Sequence, residues 1–408
     1  MEYIARHLED VILKVNDFFP VVMVCGQRQI GKSTLLRHLQ EDARSYVNLD
    51  DVRYRRLALE DPVTFLDSLG TPLFIDEFQR APNLLLEIKR RVDARILDKV
   101  PTTGIYWLSG SQKFTMLKDV SESLAGRVGL FDLLGLSAAE LEARDSSPFD
   151  ADVNALKARL AQSKKKSLAQ IYERIFVGGM PALHASQVDR EWYFSSFINT
   201  YLERDIYMLS DVGKLEQFYD FLLFLAARTG QILNYNDIAK SIGISLPTAK
   251  AWVGILVRSG VLYLLRPFAS NLSKRLTKSP KLYFLDTGLC AYLTRWPNAE
   301  TLQAGMMDGA FLETYVVSEI VKSYYHAGRI PNIFYYRDSE GREIDLVLER
   351  ERKLCPIEIK KNADPSHASR HFALLKKYGE CGTGLVICSA DDLYPLKQNV
   401  WLCPLSAL

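Results

Sequence analysis

A parallel α/β sheet covered by helices is the fold class that this sequence predicts, and three observations predict it. The apolar run Val21-Val22-Met23-Val24 breaks at Gly26 and passes through a short loop into a helix opening near Lys32. A second apolar run, Leu73-Phe74-Ile75, ends abruptly in the carboxylates Asp76 and Glu77. A third, Gly104 to Leu108, ends in Ser109-Gly110-Ser111-Gln112. Strands buried on both faces read as unbroken apolar runs. Alternation of such strands with helical segments specifies a parallel sheet with its polar loops at one end.

Taken in order, residues 1 to 18 place Ile4, Leu8, Val11, Ile12 and Val15 at helical spacing. After the first strand and its helix, Tyr46 to Asp50 reads as a short strand ending in an acid, and Asp61-Pro62 opens a helix after the Arg-rich segment from Val52 to Leu59. The stretch from Arg144 to Lys166 turns acidic, then Ala- and Lys-rich, and reads as a surface loop and helix leaving the sheet. Helical segments run from Ser167 to Ala227, interrupted by Gly178-Gly179-Met180-Pro181. Composition sets no exotic class: in 408 residues, 48% are apolar and 25% charged, with a net charge of +2. Such a length implies two to four domains. The net charge excludes a global field for polyanions, so a nucleic-acid surface must be local. The six cysteines form no CxxC and read as reduced thiols of a cytoplasmic protein. The N-terminus is charged and helix-patterned, unlike a signal peptide, and no apolar run is long enough to span a bilayer.

Gly26-Gln27-Arg28-Gln29-Ile30-Gly31-Lys32-Ser33 matches G-x-x-x-x-G-K-[ST] without departure, with Thr34 following. Its glycines let backbone N–H groups turn inward onto phosphate oxygens at a helix N-terminus. Lys32 is placed for the β- and γ-phosphates and Ser33 for Mg²⁺, so ATP with Mg²⁺ is the expected ligand. Asp76 is expected to hold the Mg²⁺ with Ser33, and Glu77 to polarise the attacking water. Ser109 or Ser111 would sense the γ-phosphate, or cap a helix. Arg127 follows Gly126 beyond the third strand, a position suited to reach a neighbouring copy's γ-phosphate, which makes a homo-oligomer an expected assembly. Arg204, between Glu203 and Asp205, is either a phosphate contact from a helical lid or a surface ion pair.

Residues 234 to 266 read as helix, turn, helix and strand, the pattern of a winged helix-turn-helix. Its second helix offers only Lys250 and Arg258 as cations, so packing and DNA binding stay open as alternatives. The loop 271–281, with Lys274, Arg275, Lys278 and Lys281 and no acid, is the better candidate for phosphate contact. In the last region a helix over Phe311 to Val321 precedes strands at Phe334–Arg337, Ile344–Leu348 and Pro356–Lys360. Asp345, with Glu358 and Lys360 two apart on the next strand, points three side chains to one face. Two carboxylates and a lysine so placed suit a second Mg²⁺ or Mn²⁺ and phosphodiester attack, with Glu313 (or Glu319) in support.

The phosphate loop, LFIDEFQ, SLAGR, GGMP, YLERD, KSPKLYFLDTGL and the closing D…ExK together resemble the prokaryotic AAA-type ATPases with a DUF4143 region, whose end is similar to the PD-(D/E)xK nuclease superfamily. The resemblance covers nearly the whole chain. It implies an AAA+-like ATPase core over 1–145, a helical lid over 146–230, a winged helix-turn-helix with its basic loop over 231–300, and a restriction-endonuclease-like α/β domain over 301–408. It also implies that Lys32, Ser33, Asp76 and Glu77 serve the nucleotide, and that Asp345, Glu358 and Lys360 form a nuclease-type cluster. An ATPase coupled to a DNA-handling module is the first expectation. A nucleotide-regulated binding protein whose nuclease-like domain is inactive is the second.

Overall fold

The computed structural model describes residues 3–111, 124–145, 147–201, 215–269, 278–362, 365 and 367–408. Five strands, β1 (Val21–Cys25), β2 (Ser45–Asn48), β3 (Leu73–Asp76), β4 (Tyr106–Gly110) and β5 (Val128–Asp132), form a wholly parallel sheet in the order β2-β3-β4-β1-β5. Insertion of β4 between β1 and β3 brings the three polar strand ends side by side. The two faces of the sheet follow the strand period of two: Val22 and Val24 pack into one core, Val21, Met23 and Cys25 into the other. β5 has no counterpart among the apolar runs, because only Gly129 of its five residues is fully buried.

Residues 144–166 do not leave the body of the protein. Phe149 is buried, the helix Val153–Gln162 buries Leu156, and Arg144 and Arg159 donate to the carbonyls of Leu408 and Ala407 at 2.5 and 3.1 Å. The charge-rich text reads as solvated, but its arginines stitch the segment beneath the last residues of the chain.

The helices Leu168–Val177, Arg190–Tyr201, Leu215–Ala226, Tyr235–Ile242 and Leu246–Arg258 follow, then an antiparallel pair, β6 (Leu262–Leu265) and β7 (Lys281–Phe284). The turn between the last two helices is set by Gly243, left-handed at φ 74°, and by Ser245, whose hydroxyl caps Thr248 N–H. A long helix, Asp308–Tyr325, buries residues on nearly its whole circumference and acts as a spine. Against it lies a second sheet in the order β12-β13-β11-β10-β9-β8, made of β8 (Ile333–Arg337), β9 (Glu343–Arg350), β10 (Lys353–Ile359), β11 (Gly384–Cys388), β12 (Tyr394–Lys397) and β13 (Val400–Pro404). One apolar core runs from Val22 and Trp107 through Phe221 and Trp252 to Val316, Leu346 and Leu385, so the two sheets share an interior.

Two separated sequence words meet here. Gly179 N–H donates to Asp286 Oδ2 at 2.8 Å, and Asp286 also caps the helix Thr287–Leu293. A Cβ on Gly178, which sits at φ 83°, would lie 2.4 Å from Asp286 Oδ1, and one on Gly288 would lie 2.3 Å from Val177 O. Only glycine allows GGMP and LDTGL to pack so closely.

The spine is joined to the first sheet by buried polar groups. Glu319 accepts Ala138 N–H, Lys322 donates to Glu319 and to Leu136 O, and Glu140 binds Arg6 and faces His326. Burial pushes the His326 imidazole down to about 4. Burial alone would raise the Glu140 carboxyl, but Arg6 and His326 hold it at about 2. His326 is therefore neutral when folded and protonates when unfolded below its ordinary value of about 6.5. Its contribution is complete above pH 6.5 and is lost as pH falls toward 4. Replacing His326 by Gln is expected to reduce the loss of folding free energy between pH 7 and 5 by on the order of 2 kcal/mol, which flattens the Tm–pH curve. Parallel Tm–pH curves for the variant and wild type would contradict this.

Candidate functional site

The phosphate loop sits at the end of β1. Gly26, at φ 150°, passes so close to β5's exit that a Cβ would lie 2.3 Å from Leu133 O, and Gly31, at φ 92°, starts the helix Lys32–Leu39. Lys32 is buried and donates to Gly26 O and Gln27 O at 3.0 and 2.9 Å. Burial pulls its ammonium below the ordinary lysine range, and Glu77 is the largest opposing charge. Ile30 is packed in the core, whereas the buried Gln27 Nε2 has no hydrogen-bond partner among the described residues. An orphaned donor inside a glycine-bounded loop fits a phosphate oxygen.

Asp76 collects four donors: Ser33 Oγ at 2.9 Å, Ser109 Oγ, Glu77 N–H at 3.1 Å and Tyr46 OH at 3.2 Å. Ser33 and Asp76 thus meet as the spacing predicts, and their hard oxygens suit Mg²⁺. Glu77 adopts a left-handed φ of 54° that turns it out of β3. Its Oε2 accepts from Gln79 Nε2, and that same Nε2 lies 3.1 Å from Ser111 Oγ. Gln79 is a site residue that the sequence reading missed, although its place two residues after Glu77 was the available signal. Arg127 is held within its own subunit: its Nε donates to Asp93 Oδ1 at 2.6 Å and its Nη1 to the carbonyl of Ala125. Arg204 lies outside the described residues, as do Lys274 and Arg275.

Beside the loop, Gln29, Gly31 and Thr34 share a cavity of about 200 Å³ with Tyr3, Ile4, Leu136, Pro181 and Ala182. Its lining is mostly apolar, and Tyr3 stacks on His38 with centroids 3.9 Å apart. Arg28 is held by contacts of its own within the fold.

The C-terminal cluster forms where β9 and β10 pair, Leu346 opposite Ile357. Asp345 Oδ2 accepts Ile359 N–H at 2.8 Å, and Lys360 Nζ lies 2.7 Å from Glu358 Oε2 and 3.6 Å from Asp345 Oδ2. Burial, then Asp345, pushes the Glu358 carboxyl up to about 8. Burial acts against the Lys360 charge, but Asp345 and Glu358 hold its ammonium above the ordinary range. Two neighbouring carboxylates that repel in this way, Glu358 buried and Asp345 half-buried, fit a cation. They line a cleft of roughly 600 Å³ together with His367, Arg370 and His371. Sequence reasoning missed these three, which come from a segment beyond the strands it had identified, and Glu343, which opens β9 just before the stretch it read as a strand.

Glu313 borders the cluster, but its Oε1 accepts from Lys281 Nζ at 2.9 Å and Tyr283 OH at 2.6 Å. Glu319 is elsewhere, in the seam with Ala138. Within 271–281, Lys281 departs from the expected phosphate contact: it lies on β7, buried, and its charge is taken by Glu313 and Glu343. Lys278 is exposed. On the helix Leu246–Arg258, Lys250 lies over the Tyr235 ring at 5.9 Å.

Residues 19–142 match the family described as AAA domain, and residues 308–408 match a domain of unknown function, DUF4143. The chain is thus similar to an AAA domain followed by a DUF4143 region. Between them, residues 168–300 match a second domain of unknown function, DUF8612. An uncharacterized protein of Mycobacterium tuberculosis is 29% identical over 389 residues, covering 94% of this chain and 80% of that one. One of Methanocaldococcus jannaschii is 24% identical over 340 residues, covering 74% and 67%. Among solved structures, a Walker-type ATPase of Pyrococcus abyssi covers 71% of this chain and 96% of that one at 15% identity, with a TM-score of 0.43. The AAA domain is an ATP-binding unit, and its phosphate loop is intact here. Among the described residues no helix is long and apolar enough to cross a membrane. All six cysteines are free thiols.

Proposed function

We propose that the AAA domain hydrolyses ATP and that its nucleotide state positions a DNA-handling module ending in a metal-dependent, nuclease-like site. The observation that carries the first half is the convergence of Lys32, Ser33, Asp76 and Glu77 at the ends of β1 and β3, on either side of β4, with Glu77 turned out of the sheet. Lys32 exchanges its two loop carbonyls for phosphate oxygens, Ser33 and Asp76 hold the cation, and Glu77 orients and polarises the water. Mg²⁺ bound there would neutralise charge on the transferred phosphoryl group. The apolar cavity beside Thr34 takes the base, and its Pro181–Ala182 wall extends the segment that Asp286 anchors through Gly179. Nucleotide occupancy is thereby read by the helix-turn-helix region and, through Lys322, by the spine. Arg127 would act in trans only after release from Asp93.

Support for the second half is the set of Asp345, Glu358 and Lys360 around one cleft, which Lys361 and Arg370 also line. Asp345 and Glu358 would hold the ion, and Lys360, kept charged, orients rather than deprotonates the water. The winged helix-turn-helix and exposed Lys278 are the accompanying contacts for DNA. A second reading, a nucleotide-regulated binding protein with an inactive nuclease-like domain, is favoured by one observation: Lys281 already neutralises two acids of the cluster. The test incubates wild type and Asp345→Ala with single-stranded, double-stranded and branched DNA, with Mn²⁺, with and without ATP. Cleavage by wild type alone is expected. No cleavage by either protein, with no ion bound, would leave the second reading.

A further inference from the structure

We propose that Lys281 is a built-in cation of the C-terminal cluster, a positioning residue that restricts the site to one exchangeable divalent ion. The inference rests on the reading of Asp345 and Glu358 as ion ligands. Five ionisable groups crowd this end of the sheet: Glu313, Glu343, Asp345, Glu358 and Lys360. Lys281 enters from outside the DUF4143 match, on β7, whose register fixes it opposite Leu265. Its side chain is only 5% exposed, and its ammonium lies 2.9 Å from Glu313 Oε1 and 2.5 Å from Glu343 Oε1. Tyr283, two residues on along the same strand, donates its hydroxyl to that same Glu313 oxygen at 2.6 Å. The ring of Tyr335 lies 5.7 Å from the ammonium.

A buried ammonium needs paired acids, and buried acids need a cation. Lys281 meets both needs at one end of the cluster, which leaves Asp345 and Glu358 as the pair facing a mobile ion. An ammonium on a fixed strand cannot exchange with solvent, so the Glu313–Glu343 end is filled permanently. The cation comes from the region that also carries the helix-turn-helix. The composition of the cluster therefore depends on that region being docked, which an isolated 308–408 segment would lack.

The experiment counts bound Mn²⁺ by electron paramagnetic resonance during titration of the full, nucleotide-free chain. Subtraction of Asp345→Asn isolates the ions of this cluster. Wild type and Lys281→Arg are expected to bind one such ion. Lys281→Met is expected to bind a second, or to bind the first at least about tenfold more tightly, because a positive charge at contact range has been removed. An unchanged count and affinity in Lys281→Met would overturn the proposal while the metal reading stands. If wild type binds no Asp345-dependent ion, that reading fails. Lys281→Met still decides the proposal then, a gained ion supporting it and none overturning it. Should Lys281→Met not fold, Glu343→Gln replaces it. Lys281 holds Glu343 away from the ion, so the wild-type ion should be kept within about threefold, and a loss of tenfold or more would overturn the assignment.

Discussion

Lys32→Ala is expected to lose ATP binding altogether under conditions that saturate wild type. Lys32 is the one ammonium of the phosphate loop, and the structure holds it buried against Gly26 O and Gln27 O. Its transfer to phosphate oxygens replaces two carbonyl contacts by two charge-assisted hydrogen bonds, at roughly 1.5–3 kcal/mol each. Their removal weakens affinity by about 100-fold or more. The truncation also frees two loop carbonyls that lie within the fold, so the loop itself relaxes. Titration with a fluorescent ATP analogue checks the prediction, with circular dichroism as the control for folding. Affinity within tenfold of wild type would mean that the phosphates bind elsewhere.

Glu77→Gln is expected to do the opposite: it keeps ATP within a few-fold of wild-type affinity and loses turnover. A positioned general base contributes about 10²–10⁴ in rate, and the amide keeps the shape while removing the charge. The pairing of Glu77 with Gln79 bears on the size of the effect. Gln79 Nε2 touches both Glu77 and Ser111, so it sits between the base and the strand end expected to sense the γ-phosphate. In the variant that amide contact survives through the carbonyl oxygen of Gln, so the loop geometry stays. The loss then reports chemistry rather than collapse, and a decrease of about 10²–10³ in kcat is expected.

The first sheet was legible because its strands are unbroken apolar runs with polar ends. Val21–Cys25, Leu73–Asp76 and Tyr106–Gly110 are buried along their whole length, and their ends meet as the motif spacing requires. The Ser33–Asp76 contact followed from two motifs whose partnership the phosphate loop itself implies, and the face shared by Asp345, Glu358 and Lys360 from the strand period of two. What escaped were pairings made over long chain separations. Arg144 reaches Leu408 and Gly179 reaches Asp286, although nothing in their own neighbourhoods marks these partners. Lys281 stands in a run of cations that reads as a solvated loop, yet β-pairing with Leu265 turns it inward onto two acids. Arg127 was chosen for its position in the chain, but Asp93 on the helix Leu84–Leu97 captures its guanidinium. Periodicity reports which face of an element is buried and leaves open which distant charge waits there.

Hydrolysis at Glu77 is tested most directly by single-turnover measurement with labelled ATP, Mg²⁺ and excess protein, comparing wild type with Glu77→Gln. Wild type should convert the bound ATP to ADP and phosphate. Glu77→Gln should hold the same bound fraction and hydrolyse it about 100-fold or more slowly. Equal single-turnover rates in the two proteins, at equal bound fractions, would remove Glu77 from the chemistry and contradict the ATPase site described here.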